Sequence, residues 1–228
     1  MSNIWYLSPS NQSANIGVDG FGSEKEQMNL LVDEITPHLD RAGVSSHRGD
    51  PDITIQQRAS ESNDMDACFH LALHSNAGGN GNAWGPVALY YSEAGKRFGQ
   101  KLVEGLLALG QQNNRASNLG QNKGLYELRK TKAPACLLEV DFHDSAVGVA
   151  FLTKRRSEIA EAIARCIIEA DGKVFVPATS EECTQLCLDW GLFDLSDGLG
   201  WNTSLTRREA SVLVVRLKDL IVKEVNSQ

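Results

Sequence analysis

The sequence predicts an α/β fold, a mixed central sheet flanked by helices, with a small helical module after it. Three features of the chain lead to this. Short apolar runs bounded by Ser, Pro and Gly recur as far as Val140 and read as strands. Between them lie longer segments with apolar residues every three to four positions, which read as helices, and strands alternating with helices make a sheet covered on both faces. After Asp171-Gly172 the pattern becomes purely helical.

Ile4 to Leu7, stopped by Ser8-Pro9-Ser10, is the first strand. Gly20 to Ser23 is a turn, and Ser23 with Glu26 has the spacing of a capping box that opens a helix. Met28, Leu31, Val32, Ile35 and Leu39 form the inward face of that helix, and Pro37 predicts a kink or an early end. Val44 to His47 reads as a second strand, Ala67 to His74 as a third and Pro86 to Tyr91 as a fourth. A helix from Glu93 to Leu109 buries Phe98, Leu102, Val103 and Leu106. Cys136 to Val140 is an apolar strand interrupted by Glu139, and Ile159, Ala160, Ile163, Ala164, Ile167 and Ile168 trace a final amphipathic helix. The domain boundaries that follow are 1–174 for the α/β unit, 175–180 for a linker and 181–228 for the module.

Bulk properties narrow the function. The chain has 228 residues and a formal charge of -7, so it carries no basic footprint for nucleic acid. No stretch is long and apolar enough to span a bilayer. Met-Ser-Asn-Ile-Trp is not a basic segment followed by an apolar run, so no signal peptide is expected. Cys68, Cys136, Cys166, Cys183 and Cys187 lack zinc-finger spacing and read as free thiols in a reducing compartment.

Three polar residues stand out by position. Glu24 lies in the first turn of the capped helix, four residues before Met28 and on its inward face. His74 ends an apolar strand and precedes Ser75-Asn76-Ala77-Gly78-Gly79. Glu139 sits within an apolar strand, where a carboxylate is costly without a partner or a task. Two of them have ordinary explanations: a first-turn Glu favours the helix dipole, and a strand-end His is commonly a hydrogen-bonded structural residue; Glu139 is harder to dismiss. Both His74 and Glu139, however, fall at the carboxyl ends of strands, where open α/β sheets collect ligands.

Together with their flanks, these residues resemble the zinc-dependent amidases of the Amidase_3 family, which includes phage endolysins and bacterial autolysins. The resemblance spans residues 3–170. It is carried by Gly22-Ser23-Glu24-Lys25, Leu73-His74-Ser75-Asn76-Ala77, Pro134-Ala135-Cys136-Leu137-Leu138-Glu139 with Phe142, and Leu125 to Thr131. It implies hydrolysis of the bond between N-acetylmuramic acid and L-alanine in peptidoglycan, with Zn2+ held by Glu24 and His74 and with Glu139 as the catalytic acid/base. Zinc accepts imidazole nitrogen and carboxylate oxygen and keeps one position open for water.

The family normally supplies a histidine just after strand one, and Asn11 stands at that position here. His143, four residues past Glu139, is the candidate for the missing ligand, with a loop or supporting role as its alternative. Asn11 and Asn76 are then candidate substrate contacts. His70 is expected to be packed or supporting, and His38 and His47 to lie at the surface. Two other readings stay open: a catalytically silent wall-binding protein that has lost its metal, and a zinc peptidase acting on a related bond.

In the tail, Leu188-Asp189-Trp190-Gly191-Leu192, Asp197-Gly198 and Leu205-Thr206-Arg207-Arg208-Glu209-Ala210 resemble one S-layer homology repeat. Such repeats bind secondary cell-wall polymers. A single copy implies a wall anchor, a homo-oligomerisation device or a packing element. With no signal peptide, the chain is expected to be made in the cytoplasm and to act at the bacterial wall after release, as a phage or prophage endolysin does.

Overall fold

Strand pairing fixes the architecture. In the computed structural model, which describes residues 3–175 apart from 79, 115 and 116, six strands form one sheet. They are β1 (Trp5–Pro9), β2 (Ser46–Arg48), β3 (Phe69–Asn76), β4 (Val87–Tyr90), β5 (Leu119–Gln121) and β6 (Ala135–Phe142), in the order β2-β1-β3-β6-β4-β5. β2, β1, β3 and β6 are parallel, whereas β4 runs antiparallel to β6 and parallel to β5, so the sheet is mixed as the sequence predicts. The helical module expected over 181–228, and the linker beyond Phe175, lie outside the described residues.

One face of the sheet is apolar. Trp5 and Leu7, then Phe69, Leu71 and Leu73, then Leu138 and Val140 join a single core with residues of α1 (Glu24–Arg41), α3 (Glu93–Ala108) and α6 (Arg156–Ala170). Because side chains alternate along a strand, their neighbours emerge on the opposite face. Register aligns Tyr6 with His70, Ser8 with Ala72 and Leu137, and His74 with Glu139 there. The short helices α2 (Ile55–Asp64) and α4 (Tyr126–Lys130) lie on that side, contributing buried Arg58 and Glu127.

The helix boundaries have local causes. Ser23 caps α1 by accepting from the Glu26 N–H at 3.2 Å. Pro37 does not end this helix, which continues to Arg41; buried Ile35 and Leu39 on either side of it fasten the last turn to the core. α3 approaches β6 so closely that a Cβ on Gly95 would sit 2.1 Å from the Ala135 carbonyl oxygen, so only glycine fits. The periodicity leaves α2, α4, β5 and α5 (Ala146–Lys154) unpredicted. α2 buries Arg58, Ala59 and Ser62 instead of an apolar stripe, and α5 is apolar on most positions and so carries little period.

Candidate active site

The carboxyl ends of β1, β3 and β6 and the first turn of α1 meet at one edge of the sheet. β3 carries His74 to this edge, its register partner on β6 is Glu139, and the capped first turn of α1 brings in Glu24. Glu24 Oε1 lies 2.7 Å from His74 Nδ1, and both residues are buried. Asn15, in the loop between β1 and α1, donates to Glu24 Oε2 at 2.7 Å.

Charge and burial tune these groups. Burial pushes the Glu24 carboxyl up, but its hydrogen bond and charge interaction with His74, with help from Asn15 and Ser10, outweigh burial and hold it below the usual range. Burial likewise opposes the charged form of His74, yet the Glu24 hydrogen bond and the charges of Glu139, Glu24 and Glu127 raise it. Glu139 is pushed up to about 7, chiefly by burial, with His74 opposing and the Glu24 charge adding to the rise. Its Oε2 is sealed from solvent and has no hydrogen-bond partner among the described residues. A buried carboxylate oxygen left unpaired is expensive, and it marks a place where a ligand or a proton belongs.

The other expected residues are placed elsewhere. Between His74 and Asn76 the β3–β6 register slips by one residue, so that Asn76 pairs with Phe142. Beyond this bulge His143 is buried with Nδ1 2.9 Å from both the Ser75 hydroxyl and the Ser75 carbonyl oxygen, and its ring stacks on Phe21. Its N–H and carbonyl hold Asn76 and Val18, so His143 ties the loop before α1 to the end of β3 and does not join Glu24 and His74. Asn11 turns its amide to the Ile53 carbonyl at 3.0 Å. Asn76 accepts from the next backbone N–H, that of Ala77, at 2.8 Å. His70 is fully buried against Glu127, as expected of a packed residue, and His38 and His47 are partly exposed.

A residue that the sequence does not single out approaches His74 instead. Gln12, one position after Asn11, brings Nε2 to 3.3 Å from His74 Nδ1 while its Oε1 accepts from Asn15 at 2.8 Å. Which of two adjacent amides turns toward His74 depends on the path of a loop, and no periodicity encodes it.

A carboxylate and an imidazole 2.7 Å apart, beside an orphaned carboxylate oxygen, suit a divalent cation in donor type. Among the described residues, however, no group of three His, Cys, Asp or Glu side chains is gathered as a metal nest. The pair therefore fits a cation at two positions, and any third protein donor has to be of another kind.

Comparisons with known proteins agree with this architecture. The model of one family, Amidase_3 (N-acetylmuramoyl-L-alanine amidase), matches residues 11–169. Among solved structures, the amidase AmiC2 of Nostoc punctiforme superposes with a TM-score of 0.66 at 20% identity, over 73% of this chain and 96% of that one. The catalytic domain of the amidase CwlV from Bacillus (Paenibacillus) polymyxa gives 0.65 at 19%, over 74% and 98%. The catalytic domain of CD27L, an endolysin targeting Clostridia difficile, gives 0.60 at 20%, over 73% and 96%. A search of curated proteins returned no match.

Proposed function

The chain belongs to the Amidase_3 family of N-acetylmuramoyl-L-alanine amidases, and on that premise we propose that it cuts peptidoglycan with a zinc ion held by Glu24 and His74 and with Glu139 as acid/base. The bond cleaved joins the lactyl carbonyl of N-acetylmuramic acid to the amine of L-alanine. The observation that carries this reading is Glu139 itself: a buried, unpartnered carboxylate oxygen on the strand position directly opposite His74.

When bound, zinc supplies Lewis acidity to the scissile carbonyl and acidifies a water molecule. Glu139 takes one proton from the attacking water and passes it to the alanine nitrogen as the C–N bond breaks. The water oxygen stays on the lactyl carbon as a carboxyl group, whose remaining proton is lost to the freed amine or to solvent, and the stem peptide leaves with its alanine amine free. Glu24 and His74 would hold the zinc ion, and Asn15 keeps Glu24 in place through its bond to Oε2. Gln12, beside His74, is exposed at this edge of the sheet.

The decisive test is release of alanine amino groups from purified peptidoglycan by the zinc-supplemented full chain, beside Glu139→Ala. Wild type is expected to release amine, and the variant to lose activity by about 10²-fold or more, the scale of general acid–base catalysis. A variant as active as wild type removes Glu139 from the mechanism. One competing reading is a catalytically silent wall-binding protein, since among the described residues no third His, Cys, Asp or Glu joins the pair. That reading takes over if wild type releases no amine from any of several wall types. The resemblance of residues 181–219 to a wall-polymer-binding repeat further supports the role of a phage or prophage endolysin anchored at the wall.

A further inference from the structure

His74 Nδ1 is faced by two groups at once, Glu24 Oε1 at 2.7 Å and the Gln12 amide nitrogen at 3.3 Å. A ring nitrogen either carries a proton and donates or presents its lone pair and accepts. If it donates to Glu24, the Gln12 NH₂ meets another donor. If it accepts from Gln12, the buried Glu24 oxygen faces a lone pair. Neither arrangement satisfies all three groups. Turning the terminal amide of Gln12 by half a rotation exchanges its oxygen and nitrogen and presents the carbonyl oxygen to His74. The Asn15 contact given up in that turn is exposed, so water replaces it. Carboxylate, imidazole and amide carbonyl then all offer lone pairs to the same space, and a cation there satisfies all three.

We infer that Gln12, and neither Asn11 nor His143, supplies the third protein donor at the Glu24–His74 site. The inference rests on the metal reading above. Asn11 is turned to the Ile53 carbonyl and His143 to Ser75, so each would have to abandon a contact and change direction to take part. An amide oxygen is a harder ligand than imidazole and suits zinc less well. The site therefore binds zinc more loosely than one with a second histidine, and exchanging Gln12 for histidine strengthens it.

Cobalt(II) absorption and zinc affinity by competition read the donor set without any turnover. Both are measured on the full chain for wild type, Gln12→Ala, Gln12→His and Asn11→His, with thermal melts confirming that each variant folds. The expected result is one cation per wild-type chain and affinity about tenfold weaker in Gln12→Ala, within the range that neighbouring groups exert on metal sites. Gln12→His tightens binding and changes the cobalt spectrum, while Asn11→His does neither. Wild-type affinity retained in Gln12→Ala, or tightening by Asn11→His in place of Gln12→His, overturns the inference and leaves the zinc reading intact. Absence of metal from wild type overturns the zinc reading instead. In that case a cation gained by Gln12→His still places residue 12 at the site, and none gained removes it.

Discussion

The two faces of the sheet are held by different physics. On one, Leu7, Leu71, Leu73 and Leu138 are fully buried beneath α1, α3 and α6 in a continuous apolar core. On the other, the same strands turn Tyr6, Ser8 and His70 into a buried polar network. Ser8 donates to Glu127 at 2.6 Å, His70 Nε2 lies 3.1 Å from the same carboxylate oxygen, and Tyr6 donates to Glu61 at 2.5 Å. Arg58, almost fully buried, donates to the Ser8 hydroxyl and to the carbonyls of Pro9 and Asp50. The apolar face supplies non-directional stability; the polar face fixes where the end of β1 points, and with it the loop that carries Gln12 and Asn15. Precision at the site therefore depends on the face that contributes less to hydrophobic burial.

Two substitutions set this contrast against measurement. Leu71→Ala, at a fully buried position, is expected to cost about 4 kcal/mol by urea unfolding, through lost transfer energy and a residual cavity. That loss should be nearly the same at every pH, since no titrating group is touched. Arg58→Met is expected to cost about 3 kcal/mol, because it leaves two carbonyls and Ser8 short of a donor and the Glu127 charge without its nearby cation. Unlike Leu71→Ala, it should also disturb the end of β1, read as altered amide shifts at Ser10 to Asn15. If Arg58→Met changes stability by less than 1 kcal/mol, the polar face is not held as described and the comparison fails.

The same contrast explains what was legible in the sequence. Residues of the apolar face obey a period: Met28, Leu31, Ile35 and Leu39 announce α1, and Phe98, Leu102 and Leu106 announce α3. The polar face has no such signature. α2 buries an arginine and a serine, and its clearest local mark is the capping box between Thr54 and Gln57. Glu127 finds Ser8 across 119 positions, a pairing that neither neighbourhood encodes. At the site, Glu24, His74 and Glu139 could be singled out because each is a charge or an imidazole where an apolar residue belongs. The structure brings all three to one edge. Gln12 is an amide in a loop and offers no anomaly to notice, and the bulge that carries His143 away is a register slip invisible in a strand of ordinary composition.

The narrowest prediction concerns the pH dependence that only the polar face should show. Burial pushes the Glu127 carboxyl up, but the hydrogen bond and charge interaction with His70, the Ser8 hydroxyl and the His74 charge prevail and hold it below its ordinary value of 4.5. A carboxyl depressed in the folded state binds protons more weakly there than in the unfolded chain. Its contribution is therefore complete above 4.5 and is lost as pH falls from that value through the depressed folded one. Glu127→Gln keeps the shape and removes the charge. It is expected to cost about 1–2 kcal/mol at neutral pH, on the scale of one charge-assisted hydrogen bond. As the medium is acidified the wild-type and variant stabilities should converge. Leu71→Ala, by contrast, should stay parallel to wild type across the same titration. Unfolding midpoints measured from neutrality down to pH 3 distinguish the two patterns. A Glu127→Gln curve parallel to wild type would mean that the network draws its stability from packing, as the apolar face does, and not from the charge at its centre.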